Sequence, residues 1–158
     1  NNAIINNIVK MNDWGICLNN SSNNIISNNS VSFNEYGINM TISSDNTIFH
    51  NNIIDNTVQA YDDMGTNSWD NGYPSGGNYW TDYTGVDKNS TVSQNVPPSD
   101  GIGDTPYTNI LGGAGAQDIF DRIRRGKGGT ARSVRVKRRS VICRSRLPRR
   151  SPLRRGAR

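Results

Sequence analysis

Four aspartates in a glycine-rich stretch are the residues of this chain whose type and spacing most clearly suggest chemistry. Asp100 and Asp104 are the first and last residues of the pentapeptide Asp-Gly-Ile-Gly-Asp. This pentapeptide resembles half of a calcium loop, because glycine allows a sharp turn between the two carboxylates. Calcium takes six to eight oxygen ligands, so further carboxylates and backbone carbonyl groups must complete the set. The spacing predicts one calcium site at Asp82, Asp87, Asp100 and Asp104, and hydrogen-bonded Asx turns at the same positions are the alternative.

Four aromatic residues of the same stretch are candidates for contact with a sugar. A flat aromatic face is a surface on which a pyranose ring can stack, and the intervening glycines permit tight turns. The alternative is that these rings form the apolar core of a cap. The candidates are Trp69, Tyr73, Trp80 and Tyr83.

Asp13 and Glu35 are the acids of the chain that most resemble a catalytic pair. They occupy equivalent positions in two successive 22-residue units. Stacking of these units as parallel strands would place them about 5 Å apart, close to the carboxylate separation of a retaining glycosidase. Solvated surface acids are the alternative, and we predict no catalytic residues in this chain.

Copper ligands are not visible in the sequence. His50 is the only histidine, and it has no second His or Cys partner that could complete a copper set. Cys17 and Cys143 show neither a disulfide framework nor a metal spacing. We therefore expect calcium, rather than copper, if the chain binds a metal.

A repeat of 22 residues covers positions 1–66 and carries Asp13, Glu35 and His50. Residues 1–22, 23–44 and 45–66 align without a gap. Apolar residues occur in short β-branched stretches split by Asn, Gly and Ser, which is typical of strands and turns. A low-complexity disordered tract is the alternative, but it has no reason to keep apolar columns at a fixed period. These columns are Ile4/Ile26/Ile48, Val9/Val31/Ile53, Trp14/Tyr36/Val58 and Ile16/Ile38/Ala60.

The repeat predicts an all-β fold, namely a right-handed single-stranded parallel β-helix with three 22-residue coils over residues 1–66. Equivalent positions of successive coils then stack about 4.8 Å apart, and stacked Asn side chains can form amide ladders. A solenoid also suits the low apolar content of 33%, because each coil needs only a narrow interior shared with its neighbours. The predicted ladder residues are Asn7, Asn29, Asn51, Asn12, Asn34 and Asn56.

Residues 67–118 lack the repeat and are predicted to form an irregular cap rich in aromatic residues, Gly and Asp. The coils resemble the NosD-like repeats, also called carbohydrate-binding and sugar-hydrolysis (CASH) repeats, of surface proteins from methanogenic archaea. The segments NSWDNGYPSGGNYWTDYTGVD at 67–87 and DGIGDTPY at 100–107 are similar to the segment that follows the coils in those proteins. The resemblance covers roughly residues 1–118 and implies a C-terminal fragment of a secreted or cell-surface protein, with signal and anchor outside it.

The last part of the chain differs sharply in charge. Residues 1–116 contain eleven acidic and two basic residues, whereas residues 117–158 contain two acidic and sixteen basic residues. A genuine arm of this kind would bind nucleic acid or another anionic polymer through its Arg side chains. A reading-frame slip near residue 118 is the alternative, and in both cases we predict that residues 119–158 are largely disordered.

Taken together, these patterns favour a non-catalytic secreted or cell-surface module that binds carbohydrate or acts as a structural spacer. One alternative is a fragment of a polysaccharide-active lyase or hydrolase whose catalytic coils are missing. Another is an anionic-polymer-binding protein that acts through the basic tail. The expected partner is a polysaccharide or a surface glycan, with no nucleic acid unless the tail is genuine, and with no transmembrane segment.

Overall fold

The computed structural model describes residues 1–123. Regular structure in this range consists of β-strands, with no helix, and the sheets are parallel. The prediction of an all-β fold with parallel strands is therefore confirmed. None of these residues forms an apolar helix of membrane-crossing length. The predictions for the basic tail beyond residue 123 lie outside the described residues.

The described strands form three parallel sheets, and each sheet takes one strand from every 22-residue unit. The first sheet contains β1 (Ala3–Ile5), β4 (Ile25–Ser27) and β7 (Thr47–Phe49). The second contains β2 (Ile8–Lys10), β5 (Ser30–Ser32), β8 (Asn52–Ile54) and β10 (Tyr79–Trp80). The third contains β3 (Trp14–Asn19), β6 (Tyr36–Thr41) and β9 (Val58–Asp62).

The strand register places like residues on top of each other in the interior. Val31 pairs with Val9 on one side and with Ile53 on the other, and both Val31 and Ile53 are fully buried. Burial of such a side chain stabilises the fold by about 1.5–3 kcal/mol. Ile4 and Val9 are only partly buried, because their strands lie at the edges of their sheets.

Left-handed backbone recurs at the corners between strands. Asn6, Asn28 and His50 occupy one corner column, with φ values of 59°, 56° and 57°. Asn tolerates this conformation well, but Phe33 at 54° and Ile42 at 50° do so only with strain. The stacking of the 22-residue units therefore imposes the corner geometry even where the residue type opposes it.

Ile42 is the corner residue least suited to its backbone, and we expect Ile42→Asn to stabilise the protein. Its side chain is 60% exposed, so little burial compensates for the strain of a β-branched residue in left-handed backbone. Relief of this strain predicts a gain of about 1 kcal/mol, seen as a higher urea midpoint. The control Ile25→Asn, which changes an exposed residue within strand β4, should not stabilise. Equal effects of the two changes would contradict the argument.

The segment after the repeats continues the stack before it becomes irregular. Asn46 and Asn51 donate to Asn67 and Asn78 respectively, at spacings of 21 and 27 residues. Trp80 pairs with Ile53, so the interior column of the second sheet ends on a buried indole ring. From the sequence, the repeat is predicted to end at residue 66. The continued stacking is not visible there, because these two spacings differ from 22 residues.

Residues 119–123 are hydrogen-bonded to the segment that follows the repeats, which differs from their assignment to the disordered tail. The Gly77 N–H group donates to the Phe120 carbonyl at 2.6 Å, and that of Gly103 donates to the Asp121 carbonyl at 2.9 Å. The segment therefore lies between two cap edges whose N–H groups need acceptors. The composition of residues 119–158 could not reveal these hydrogen bonds, because the basic residues after position 123 dominate that composition.

Candidate functional site

Buried polar groups converge at the junction between the third 22-residue unit and the cap. One Asn column enters it as a chain of amide hydrogen bonds: Asn7 donates to Asn29 at 3.0 Å, Asn29 to Asn51 at 2.9 Å, and Asn51 to Asn78 at 2.9 Å. The backbone and side-chain N–H groups of Asn78 then donate to Asp118 Oδ2, at 2.7 and 3.1 Å. This column therefore ends on a carboxyl group.

A second Asn column ends in the same way. Asn2 donates to Asn24 at 3.3 Å, Asn24 to Asn46 at 2.9 Å, and Asn46 to Asn67 at 2.9 Å. Asn67 Nδ2 donates to Asp62 Oδ1 at 2.9 Å. The carboxylate of Asp62 is fully buried and closes the column at the end of strand β9.

The third column reaches its carboxylate through a glutamine. Asn12 donates to Asn34 at 3.2 Å, and Asn34 donates to Asn56 at 2.9 Å. Asn56 donates to Gln59 Oε1 at 2.9 Å, and Gln59 Nε2 donates to Asp82 Oδ1 at 3.1 Å. The carboxylate of Asp82 is exposed, unlike the other two column ends.

All three columns donate in one direction, from the first unit toward the cap. At Asn51, for example, Oδ1 accepts the backbone and side-chain N–H groups of Asn29, and Nδ2 donates onward. A carboxyl group suits the last position because its unprotonated oxygen can accept the final amide hydrogen bond. Sequence reasoning missed these column ends; the signal that could have found them is the requirement of every buried amide for a partner.

Trp69 and Trp80 are buried in the junction, which corrects their prediction as sugar-stacking residues. Their exposed fractions are 1% and 2%. Trp80 stacks on Tyr107 with ring centroids 4.1 Å apart, and its Nε1 donates to Asp118 at 2.9 Å. Trp69 Nε1 donates to Asp62 at 3.1 Å. Both rings close the apolar interior of the last unit and have no face to offer a ligand.

Tyr73 and Tyr83 are half-buried and remain candidates for sugar contact. Tyr83 Oη donates to the Thr105 carbonyl at 2.8 Å, and burial raises the pKa of Tyr83. Tyr73 lines an open groove of about 500 Å³ on the surface of the cap. The same groove is also lined by Ser75, Asp100 and Arg122.

A second cleft of about 410 Å³ lies beside the end of the third Asn column. Its lining offers carboxylate, hydroxyl and amide groups but no aromatic ring among the described residues. The polar residues around it include Asp55, Thr57, Thr81, Asp82 and Asn109.

The four aspartates predicted to bind calcium accept hydrogen bonds from protein donors. Asp104 accepts three, from the Lys88 backbone and from the backbone and side chain of Asn89, each at 3.1 Å. Asp87 accepts the N–H group of Asp100 at 3.1 Å. Among residues 1–123, no group of three or more His, Cys, Asp or Glu side chains is placed to hold a metal. Calcium binding by Asp82, Asp87, Asp100 and Asp104 stays a prediction.

Asp118 and Asp121 are buried carboxyl groups whose importance the sequence does not reveal. Burial raises the pKa of Asp118 to about 7. Burial, with the nearby charge of Asp118, raises the pKa of Asp121 to about 8. Ionisation of either group in the folded protein is therefore unfavourable up to neutral pH.

Asp13 and Glu35 are both exposed, next to the stacked rings of Trp14 and Tyr36, whose centroids lie 4.7 Å apart. Glycoside hydrolysis requires that the substrate lie between the two carboxyl groups. Neither residue lines the groove or the second cleft. The two acids are thus placed as surface residues of the first two units.

The three parallel sheets, with one strand from each 22-residue unit, are those of a protein of the parallel β-helix type. A family model described as periplasmic copper-binding protein (NosD) matches residues 1–85. The chain belongs to this NosD family. No curated protein and no solved structure matches the chain.

The family description names copper, but the donors in residues 1–123 do not fit a copper site. His50 is the only histidine of the chain, and its Nε2 lies 2.7 Å from the Ser75 carbonyl oxygen. Copper sites combine several imidazole or sulfur ligands, and no group of three or more His, Cys, Asp or Glu is assembled in this range. Copper therefore has no role in the function proposed below.

Proposed function

We propose that this chain is a non-catalytic carbohydrate-binding module that acts outside the cytoplasm. The location is supported by the description of its family as periplasmic. In this proposal, residues 1–66 form three coils of a right-handed single-stranded parallel β-helix of the CASH repeat type, and the residues that follow form its cap. The coils act as a rigid support for the binding groove of the cap.

The composition of the groove supports this proposal. An aromatic ring from Tyr73, a carboxylate from Asp100 and a guanidinium group from Arg122 line one open space of about 500 Å³. A ring face can stack on the apolar face of a sugar, while planar charged groups pair with its hydroxyl or carboxylate substituents. Ligand sites commonly combine an apolar surface with a few polar groups of this kind.

Tyr73→Ala is expected to weaken the binding of a soluble polysaccharide about tenfold, because one stacked ring contributes on the order of 1 kcal/mol. Binding is measured by affinity electrophoresis across a panel of neutral and uronic-acid polysaccharides, then by calorimetry for the best ligand. Arg122→Gln removes the charge of an exposed residue that lines the groove. It should weaken the binding of uronic-acid ligands more than the binding of neutral ones.

Two controls separate this groove from other surfaces. Tyr61→Ala removes a half-buried tyrosine of strand β9, and Thr57→Ala alters the second cleft. Neither change should affect the dissociation constant. Absence of binding to the whole panel would refute the proposal, and release of reducing sugars would support a polysaccharide-active enzyme instead.

A further inference from the structure

Residues 118–123, which we call the closing segment, contain two carboxyl groups without the partners that a buried charge requires. Asp118 and Asp121 are both fully buried. Asp118 Oδ2 accepts three hydrogen bonds, but in the described part of the chain Asp118 Oδ1 and both oxygens of Asp121 have no partner. Gly77 and Gly103 make room for these side chains, because a Cβ at either position would collide with carboxylate oxygens.

Among residues 1–123, the groups around the two carboxyl groups do not offset negative charge. Asp118 is held by neutral N–H donors, and each of the two aspartates lies within electrostatic reach of other acids. Arg122, the neighbouring cation in sequence, packs its aliphatic stem along Gly76 and lines the groove. In the described part of the chain, the titratable groups that face the pair from the neighbouring elements are Asp70, Tyr83 and Tyr107, all of them acids.

The closing segment is also one wall of the groove. Its backbone joins two cap edges: Arg122 N–H donates to the Asn78 carbonyl at 2.7 Å, and Ile123 N–H donates to the Gly101 carbonyl at 3.0 Å. Arg122 and Ile123 both line the groove, together with Tyr73. Loosening of the closing segment would therefore remove one side of the groove.

We propose that the closing segment is a pH-controlled wall of the groove, held most tightly when Asp118 and Asp121 are protonated and progressively less as they ionise. The consequence for ligand binding rests on the proposed function, whereas the pH dependence of the closing segment stands on its own. A ligand would thus be held best under acidic conditions and released as the pH rises.

The direction follows from the proton balance. Both carboxyl groups have a raised pKa in the folded protein, about 7 for Asp118 and about 8 for Asp121, against an ordinary value of 3.8. The closed state therefore binds more protons than the open state between pH 4 and 8. Each carboxyl should raise the opening equilibrium about tenfold per pH unit above pH 4, up to about pH 7 for Asp118 and about pH 8 for Asp121, beyond which the equilibrium levels off.

Amide hydrogen exchange of the whole chain from pH 5 to 9, corrected for the intrinsic exchange rate, tests this proposal. Amides of Gly77, Gly103 and Ile123 should lose about tenfold protection or more per pH unit up to pH 7. The amide of Ser30, which donates to the Asn7 carbonyl at 2.8 Å within the repeats, should not follow this profile. The double variant Asp118→Asn with Asp121→Asn should give a flat profile, because it keeps the side-chain shape and removes the titration.

Several results would overturn the proposal. Protection of the closing segment that is independent of pH would do so, as would the same loss in the double variant. Restoration of protection at pH 9 by millimolar calcium would show that a cation, not a proton, holds the pair. Failure of the polysaccharide panel would remove the ligand function alone, because the exchange profile is measured without ligand.

Discussion

Asn51→Ala is expected to destabilise the protein by about 4 kcal/mol, because several buried groups lose their partners and each costs roughly 1–3 kcal/mol. Asn51 is fully buried in the Asn column that ends on Asp118. Its Oδ1 accepts two hydrogen bonds from Asn29, at 3.0 and 2.9 Å. Its Nδ2 donates to the carbonyl groups of Ile26 and Phe49 and to Asn78 Oδ1. Alanine removes all of these hydrogen bonds from a fully buried position.

Urea denaturation followed by far-ultraviolet circular dichroism measures this loss, and the chain supplies a matched control. Asn52 is the next residue, also an asparagine, but it is exposed on strand β8. Asn52→Ala should change stability by about 0.5 kcal/mol or less. Similar losses of unfolding free energy for the two variants would show that a buried Asn of the column contributes no more to stability than an exposed Asn.

Asn51→Asp tests the direction of the column at nearly constant size. The carboxylate can still accept from Asn29, but it cannot donate to Asn78 Oδ1. It would also place a charge in a fully buried position. We therefore expect a loss at least as large as that of Asn51→Ala at neutral pH, and a smaller difference between the two variants at acid pH.

The parallel strands and the Asn columns could be predicted from sequence because one constant spacing encodes both. Each offset of 22 residues places Val9, Val31 and Ile53 in one interior column and fixes the neighbouring Asn residues at the same time. The continuation into the cap could not be predicted, because its spacings change. Asn67 follows at 21 residues and Asn78 at 27 residues.

The candidate site was less predictable, because burial at the junction depends on contacts between distant parts of the chain. Asn78 and Asp118 are 40 residues apart, and no local pattern announces their hydrogen bond. The exposure of an aromatic ring is equally hidden: Trp80 is buried, whereas Tyr73, seven residues earlier, lines the groove. Composition identified the stretch that carries the site, but not which of its side chains face solvent.

At one glycine column, contacts in the structure reverse the effect on stability that an alanine substitution would otherwise have. Gly15 and Gly37 share a position at which the third unit has Gln59. Glycine within a strand normally weakens it, so replacement of a strand glycine by alanine would by itself be slightly stabilising. In the structure, a Cβ at Gly37 would overlap the Gln59 carbonyl oxygen and would lie 2.9 Å from Asn56 Nδ2. Gln59 is tolerated at the last level because its side chain itself completes the third Asn column.

Gly37→Ala is therefore expected to destabilise the protein by roughly 3 kcal/mol, the upper end for an overpacked interior, because backbone atoms must move to relieve the collision. Gly72→Ala is the control: its Cβ would meet nothing within 4 Å, and only the φ of 68° opposes it, at a cost of about 1 kcal/mol. Both variants are compared with the parent protein by urea denaturation. Stabilisation by Gly37→Ala, or a loss no greater than that of Gly72→Ala, would contradict the close approach of successive units that the amide columns require.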